Sequence, residues 1–314
     1  MPECTEAIRS EARRLLESGA VDVVLGFAEG TVPMRAAPLF VRDASEVERL
    51  IWNPFCENNL ARYLRDLRGE KVAIVAKGCD TRSIVALLNE QQIDREKVYI
   101  IGVPCEGMVD RRVVMRRVPG EVLRARQEGE EIVVEGRGFS ERLPRSEVRY
   151  RSCSACTHPN PVIYDVLLGE AVETWCSDRF AYVREIERKP AAERAAYFDS
   201  EARRCIRCYA CRQACPMCYC AECFVDHTTP RWTESGATPA GQQAWQIGRA
   251  YHLLGRCVNC GACERACPME IDLVYLNGKS SKDVWELFGF EAGIEVDKPP
   301  PLAVFLPEDD PDVE

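Results

Sequence analysis

The chain has 314 residues, long enough to bury a sizeable core and, by size, to form two domains. A formal net charge of −9 argues against nucleic acid as the main partner, and no apolar run approaches the length needed to span a bilayer. Eighteen cysteines behind a polar, charged opening stretch, Pro2 to Ser18, disfavour secretion and a disulfide framework and lead us to expect a soluble, cytoplasmic protein whose thiolates serve metal.

Thr5 can cap a first helix with the apolar stripe Ile8, Ala12, Leu15 and Leu16, ended by Gly19. Val21–Phe27 reads as a short strand, Pro38–Val41 as a second, and Asp43 to Glu46 as the start of another helix. Cys56 sits in a loop that leads into a helix over Leu60–Leu67. Lys71–Ala76 is a continuous apolar strand, Thr81–Gln91 a helix with Ile84, Leu87 and Leu88 inward, and Lys97–Val103 a second buried strand. A βαβ unit of this type is parallel and right-handed. Cys79 and Cys105 each follow the C-terminal end of one of its strands, so both fall on one edge of the sheet, where neighbouring strands are about 5 Å apart. Cys79 is expected just ahead of a helix N-terminus, where the dipole favours thiolate. The alternative is a pair of buried, inert cysteines.

Between residues 106 and 150, Arg111, Arg112, Arg116, Arg117, Arg124 and Arg126 form a basic patch, and Glu130–Glu135 before the Gly136-Arg-Gly138 turn looks like one arm of a hairpin. The patch reads either as a solvated face or as a docking or nucleotide-phosphate surface. Cys153 and Cys156 form a C-x2-C pair on a loop, and Cys176 follows. With Cys79 and Cys105 the pair makes four thiols, the number a third cubane needs, with Cys56 and Cys176 in reserve. A helical, charged stretch from Ile186 to Glu201 then leads to a new domain.

That domain carries the strongest signal in the chain. The run C-x2-C-x2-C-x3-C-P occurs twice, as Cys205, Cys208, Cys211, Cys215, Pro216 and again as Cys257, Cys260, Cys263, Cys267, Pro268. Three thiolates at i, i+3 and i+6 reach one cubane and the fourth serves the other. The expected ligation is crossed: Cys205, Cys208, Cys211 and Cys267 for one 4Fe-4S cluster, Cys257, Cys260, Cys263 and Cys215 for the other. Structural zinc is the alternative, but a tetrahedral site has no use for the third step or the trailing Cys-Pro. Cys218, Cys220 and Cys223 are additional thiols, able to serve another metal or to shield a cluster. Gly241–Leu254 reads as a helix with Ala244, Ile247, Tyr251 and Leu254 on its apolar stripe and Gly255 as its stop; Ser281–Leu287 is a further helical stretch. An all-helical dicluster domain results, resembling those of heterodisulfide reductase and fumarate reductase iron-sulfur subunits. Pro299 to Pro301 open a tail with an apolar core, Leu302–Leu306, and an acidic tip, Glu308–Glu314, suited to lying across a partner subunit.

Val75 to Ile84, Ile101 to Gly107, the Cys153/Cys156 pair, Tyr164-Asp165 and Gly169 together resemble the beta-subunit family of coenzyme F420 hydrogenases and of F420- or formate-linked dehydrogenases. The resemblance implies a cubane in the α/β domain, a flavin in some members, and service inside a larger oxidoreductase complex of the hydrogenase, formate dehydrogenase or heterodisulfide reductase type. In this chain the ferredoxin motifs are C-terminal and no G-x-G-x-x-G run is present, so flavin binding does not carry over directly. The expected architecture is an α/β domain with a parallel βαβ core over residues 1–190, an all-α dicluster ferredoxin domain over 191–290 and a tail over 291–314. The expected function is relay of single electrons between partner subunits. The alternative is a flavin-dependent F420 or NAD(P)H oxidoreductase subunit with FAD in the α/β domain.

Overall fold

A computed structural model describes residues 2–234 and 236–304. The chain divides into two units, the first made of residues up to 82, 93–179 and 260–262, the second of 83–92, 180–259 and those from 263 onward.

In the first unit, helix α1 (Pro2–Glu17) buries Ile8, Ala12 and Leu15. It begins earlier than expected: Thr5 lies inside it, and its hydroxyl accepts from the Trp52 backbone N–H at 3.0 Å. Strand β1 (Val23–Glu29) pairs antiparallel with β2 (Ala36–Val41) and parallel with β3 (Val72–Ala76). The helical signals at Ala44–Arg49 and Leu60–Leu67 both fold as 3-10 helices, capped by the carboxylate of Asp43 and the carbonyl of Asn59. Helix α2 (Gly78–Asn89) follows β3 directly, and β4 (Val98–Gly102) then runs parallel to β3. All five residues of β3 are buried, as a strand covered on both faces requires.

The chain then leaves the sheet through α3 (Arg111–Arg117) into a three-stranded antiparallel meander, β5 (Val122–Glu128), β6 (Glu131–Gly136) and β7 (Phe139–Pro144). The expected hairpin is β6 and β7; β5, whose arginines stand on a largely solvent-facing strand, is additional. Basic residues of this region are paired within the unit, Arg117 with Glu147 and Arg126 with Glu135, each at 2.5 Å, the arrangement of a solvated face. Two single turns, α4 (Arg145–Val148) and α5 (Arg151–Ser154), return the chain, and the two-residue β8 (Val166–Leu167) completes a five-stranded sheet of order β2-β1-β3-β4-β8.

The second unit is helical. The charged stretch expected as one helix is two, α6 (Ala181–Glu187) and α7 (Ala191–Arg203), separated at Pro190, which cannot donate to a continuing helix. Short α8 (Ala210–Gln213) and α10 (Ala262–Ala266) each lie within a copy of the cysteine motif and carry its third cysteine, α9 (Pro239–His252) lies between the copies and α11 (Leu273–Phe288) after the second. Thr238 caps α9 by accepting from the Gly241 N–H at 3.1 Å. Among the described residues no helix is long and apolar enough to cross a membrane. Of the tail, Pro301–Ala303 form a 3-10 turn and Leu302 is exposed, while the residues from 305 on, including the acidic tip, lie outside the described residues.

Candidate metal centres

The two copies of the motif share one backbone. In the first, Arg207 (φ 54°) and Tyr209 (φ 59°) flank Cys208 in the left-handed region; in the second, Asn259 (φ 56°) and Gly261 (φ 71°) flank Cys260 in the same way. Left-handed residues at matching steps curl both loops in the same way, and a helical turn follows immediately in both, α8 and α10. Only one of the four is glycine, so three side chains are held in a strained conformation by the loop around them.

The thiols of the first loop and the last thiol of the second surround one small cavity. It is lined by Cys205, Cys208, Cys211 and Cys267 together with Tyr209, Trp245, Gln246 and Ile271. Cys205, Cys211 and Cys267 are buried whereas Cys208 is exposed. Burial pushes the Cys211 thiol up to about 12, and its neighbours Cys263, Cys205 and Cys267 oppose its ionisation further. Four thiols crowded this closely are unfavourable as thiolates unless a cationic iron core compensates them.

Helix α9 supplies the wall, through a face that periodicity did not identify. Ile247 and Tyr251, expected inward, are 42% and 67% exposed, while Gln242, Trp245, Gln246 and Arg249 are buried. Sulfur-rich surroundings favour N–H donors, so the inward face of this helix is polar. Gln242 Nε2 donates to the Cys205 carbonyl at 2.6 Å and Arg249 Nη2 to the Cys211 carbonyl at 3.3 Å. Trp245 Nε1 and Arg249 Nε are buried donors with no hydrogen-bond partner among the described residues, and Trp245 lines the cavity. Unsatisfied N–H groups beside four thiols suit a cluster, whose sulfurs accept such bonds.

For the second motif, Cys263 is buried, accepts from Asn277 Nδ2 at 3.4 Å and lies near Cys211. Cys215 donates to the Cys218 sulfur, which raises the first thiol well above its ordinary value and, helped by Arg249, lowers the second. Cys257 and Cys260 stand on the loop shaped by Asn259 and Gly261. The additional thiols have separate neighbours: Cys218 meets Cys215, Cys220 is exposed, and Cys223 bonds with Arg212. Among the described residues no three His, Cys, Asp or Glu side chains are placed to hold a single metal ion. A cubane holds its ligands wider apart than a tetrahedral ion does.

In the first unit the sheet edge gathers a second set. Cys105 follows β4, and its backbone N–H donates to the Pro159 carbonyl at 2.9 Å, tying the Cys153–Cys156 loop to the strand end. Three glycines make this seating possible. A Cβ on Gly78 would lie 2.1 Å from the His158 carbonyl oxygen, one on Gly102 would lie 2.9 Å from Tyr164, and Gly107 (φ 91°) would meet Cys153 at 3.3 Å. Two sulfurs already accept backbone N–H bonds at 3.4 Å, Cys105 from Gly107 and Cys153 from Met108. Burial pushes Cys105 up to about 12 and Cys156 to about 11, with Cys153 opposing ionisation of both. Cys79 lies in the first turn of α2 rather than ahead of it, and burial, not the helix dipole, dominates: its thiol is pushed well above the ordinary value.

Of the two reserve thiols, Cys176 is near Cys156, and Thr174 bonds to the carbonyls of both at 3.4 and 3.5 Å. Cys56 is fully buried within its own loop, its sulfur 3.4 Å from the Asn53 N–H. Beneath the set lies a residue that motif spacing does not single out. Lys77 is fully buried, with Nζ 2.9 Å from Asp80, 2.8 Å from the Asn58 carbonyl and 4.7 Å above the Phe27 ring. A lysine closing an otherwise apolar strand was the available signal.

Residues 201–271 match the family described as the 4Fe-4S dicluster domain. Over 95% of its length the chain is 25% identical to the F420-dependent formate dehydrogenase subunit beta of Methanocaldococcus jannaschii, covering 94% of that protein. Over 97% it is 25% identical to the F420-dependent formate dehydrogenase 1 subunit beta of Methanococcus maripaludis, covering 95% of it. A solved structure of the F420-reducing NiFe hydrogenase complex from Methanosarcina barkeri aligns with 48% of this chain and 58% of its own at 17% identity, with a TM-score of 0.38. Along nearly its whole length the chain is thus similar to beta subunits of F420-dependent formate dehydrogenases, and its residues 201–271 match the 4Fe-4S dicluster domain.

Proposed function

We propose that this chain is an iron-sulfur electron-transfer subunit of a multisubunit oxidoreductase. The observation that carries the reading is the cavity that Cys205, Cys208, Cys211 and Cys267 line together, since it joins thiols from both copies of the motif. Cys257, Cys260, Cys263 and Cys215 would hold the partner cluster, and Cys79, Cys105, Cys153 and Cys156 a third. A 4Fe-4S cluster, when bound, takes up and releases one electron at a time, within a range of roughly −700 to +450 mV set by its surroundings. The chain's own residues set those surroundings. Trp245 and Asn277 offer side-chain donors, Gly107 and Met108 offer backbone donors, and burial of Cys205, Cys211, Cys263 and Cys267 excludes water. Exposed Cys208 and Ile206 give the first cluster its approach to a partner subunit.

A second reading is supported by the relatives, which are named as F420-dependent: the subunit would itself exchange a hydride with F420, using FAD to divide it into single electrons. One experiment separates the two. The full chain, reconstituted anaerobically, should carry about twelve iron and twelve sulfide per chain, show no flavin bands in its absorbance, and leave F420 and NAD(P)H unchanged. Fewer than about eight iron contradicts the dicluster assignment. Stoichiometric flavin with F420 turnover favours the second reading.

A further inference from the structure

We infer that Arg249 is the residue that sets the reduction potentials of both clusters held by the doubled cysteine motif, as one buried cation shared between them; the inference rests on the ligand assignment proposed above. Arg249 is 3% exposed, in the last turn of α9 on the face turned to the cysteines. Its guanidinium lies within electrostatic reach of Cys211, Cys215, Cys218 and Cys263. Three of those residues divide between the two proposed ligand sets, Cys211 in one and Cys215 and Cys263 in the other, while Cys218 lies outside both. Nη2 is fixed by the Cys211 carbonyl at 3.3 Å, while Nε is a buried donor with no hydrogen-bond partner among the described residues. No carboxylate is paired with Arg249 among the ion pairs of the described residues, and the thiols are the groups its charge meets. A buried arginine without a carboxylate is costly, and the cost is met here only when anionic thiolates surround it.

The physical consequence follows from charge. Each one-electron reduction adds a negative charge to a thiolate-ligated cluster. A buried guanidinium facing the ligands in a site of low dielectric would stabilise the reduced form more than the oxidised form and so raise the potential. Because the same cation faces ligands of both clusters, it raises both. A guanidinium suits this role because it stays protonated throughout the accessible pH range, so the potentials it sets do not drift with pH.

The test is a potentiometric titration followed by electron paramagnetic resonance on the anaerobically reconstituted full chain, comparing wild type with Arg249→Gln and Arg249→Lys. In Arg249→Gln both dicluster couples should move to lower potential, each by about tenfold in the oxidised-to-reduced ratio at a fixed potential, equal to about 59 mV for one electron. The third cluster should stay in place as an internal control. Arg249→Lys, which keeps the charge, should remain close to wild type. Unchanged dicluster potentials in a fully loaded Arg249→Gln protein overturn the inference, as does an equal shift in both variants. If Arg249→Gln fails to load its clusters, Arg249→Lys decides: loading with wild-type potentials supports a charge role, and failure of both variants reduces Arg249 to a structural residue. A wild-type chain that holds fewer than two clusters at the doubled motif refutes the ligand assignment itself, a separate outcome.

Discussion

Gly78→Ala tests whether the sheet edge of the first unit holds a cluster, because two physical effects act on this position with opposite signs. Gly78 is the first residue of α2, where alanine ordinarily stabilises a helix by about 0.5–1 kcal/mol. Here, though, the new methyl would lie 2.1 Å from the His158 carbonyl oxygen and 2.8 Å from that of Asn160, both backbone atoms. To restore ordinary contact, the loop must recede by more than about 1 Å. It is not free to do so. The Cys105 N–H holds the Pro159 carbonyl at 2.9 Å, the Val162 N–H donates to Thr81 at 3.0 Å, and Asn160 exchanges two hydrogen bonds with Val172. Losing two of these at about 1 kcal/mol each outweighs the helix gain, for a net destabilisation of about 1–1.5 kcal/mol. The larger effect is on iron, since ligand positions tolerate only about 0.2 Å and the displaced loop carries Cys153 and Cys156. Iron in the full chain should fall from about twelve to about eight per chain, with the dicluster signals intact. A Gly78→Ala protein with full iron and a raised melting temperature would falsify the reasoning.

Two further outcomes follow from buried groups. Lys77→Met removes the cation from a fully buried pair and leaves Asp80, whose Oδ1 already lacks a hydrogen bond, as an unpaired buried carboxylate. Denaturant unfolding should show a loss of about 3–5 kcal/mol. Adding Asp80→Asn should recover part of it, and a double variant no better than the single one counts against an electrostatic origin. Cys56→Ala should leave iron content unchanged and cost about 1 kcal/mol, because its thiol is enclosed by its own loop. The same thiol is pushed up to about 12 by burial. A group held above its unfolded value, about 8.5, contributes stability that is complete below that value and is lost as pH rises toward the folded one. Wild type should therefore lose more stability between pH 8 and 10 than Cys56→Ala does, and equal losses would show that this thiol does not ionise on unfolding.

The sequence was most informative where one physical requirement dominated. The apolar runs of β3 and β4 leave no solution but a strand covered on both faces, and the parallel pairing follows with the crossover helix between them. The doubled cysteine motif was equally clear, because its spacing answers to cluster geometry rather than to packing. The inward face of α9 was not legible: a hydrophobic stripe locates a helix face turned toward hydrocarbon, whereas this helix faces sulfur and turns Trp245 and Arg249 inward while Ile247 and Tyr251 face out. Nor could periodicity separate the 3-10 segments at 44–49 and 60–67 from α-helices, since two turns of either share the same apolar spacing. β5 and β8 escaped notice for a simpler reason: one is largely solvent-facing with arginines along it, and the other is two residues long.

The central claim is that each cluster of the doubled motif draws ligands from both copies, and Cys267→Ala addresses it most directly. Electron paramagnetic resonance of the reduced, reconstituted full chain can be compared among Cys267→Ala, Cys208→Ala and Cys260→Ala. Crossed ligation predicts that Cys267→Ala loses the same signal as Cys208→Ala, its companion around the cavity, and keeps the signal lost in Cys260→Ala. A Cys267→Ala spectrum that instead matches Cys260→Ala would show that each motif holds its own cluster alone and would contradict the account.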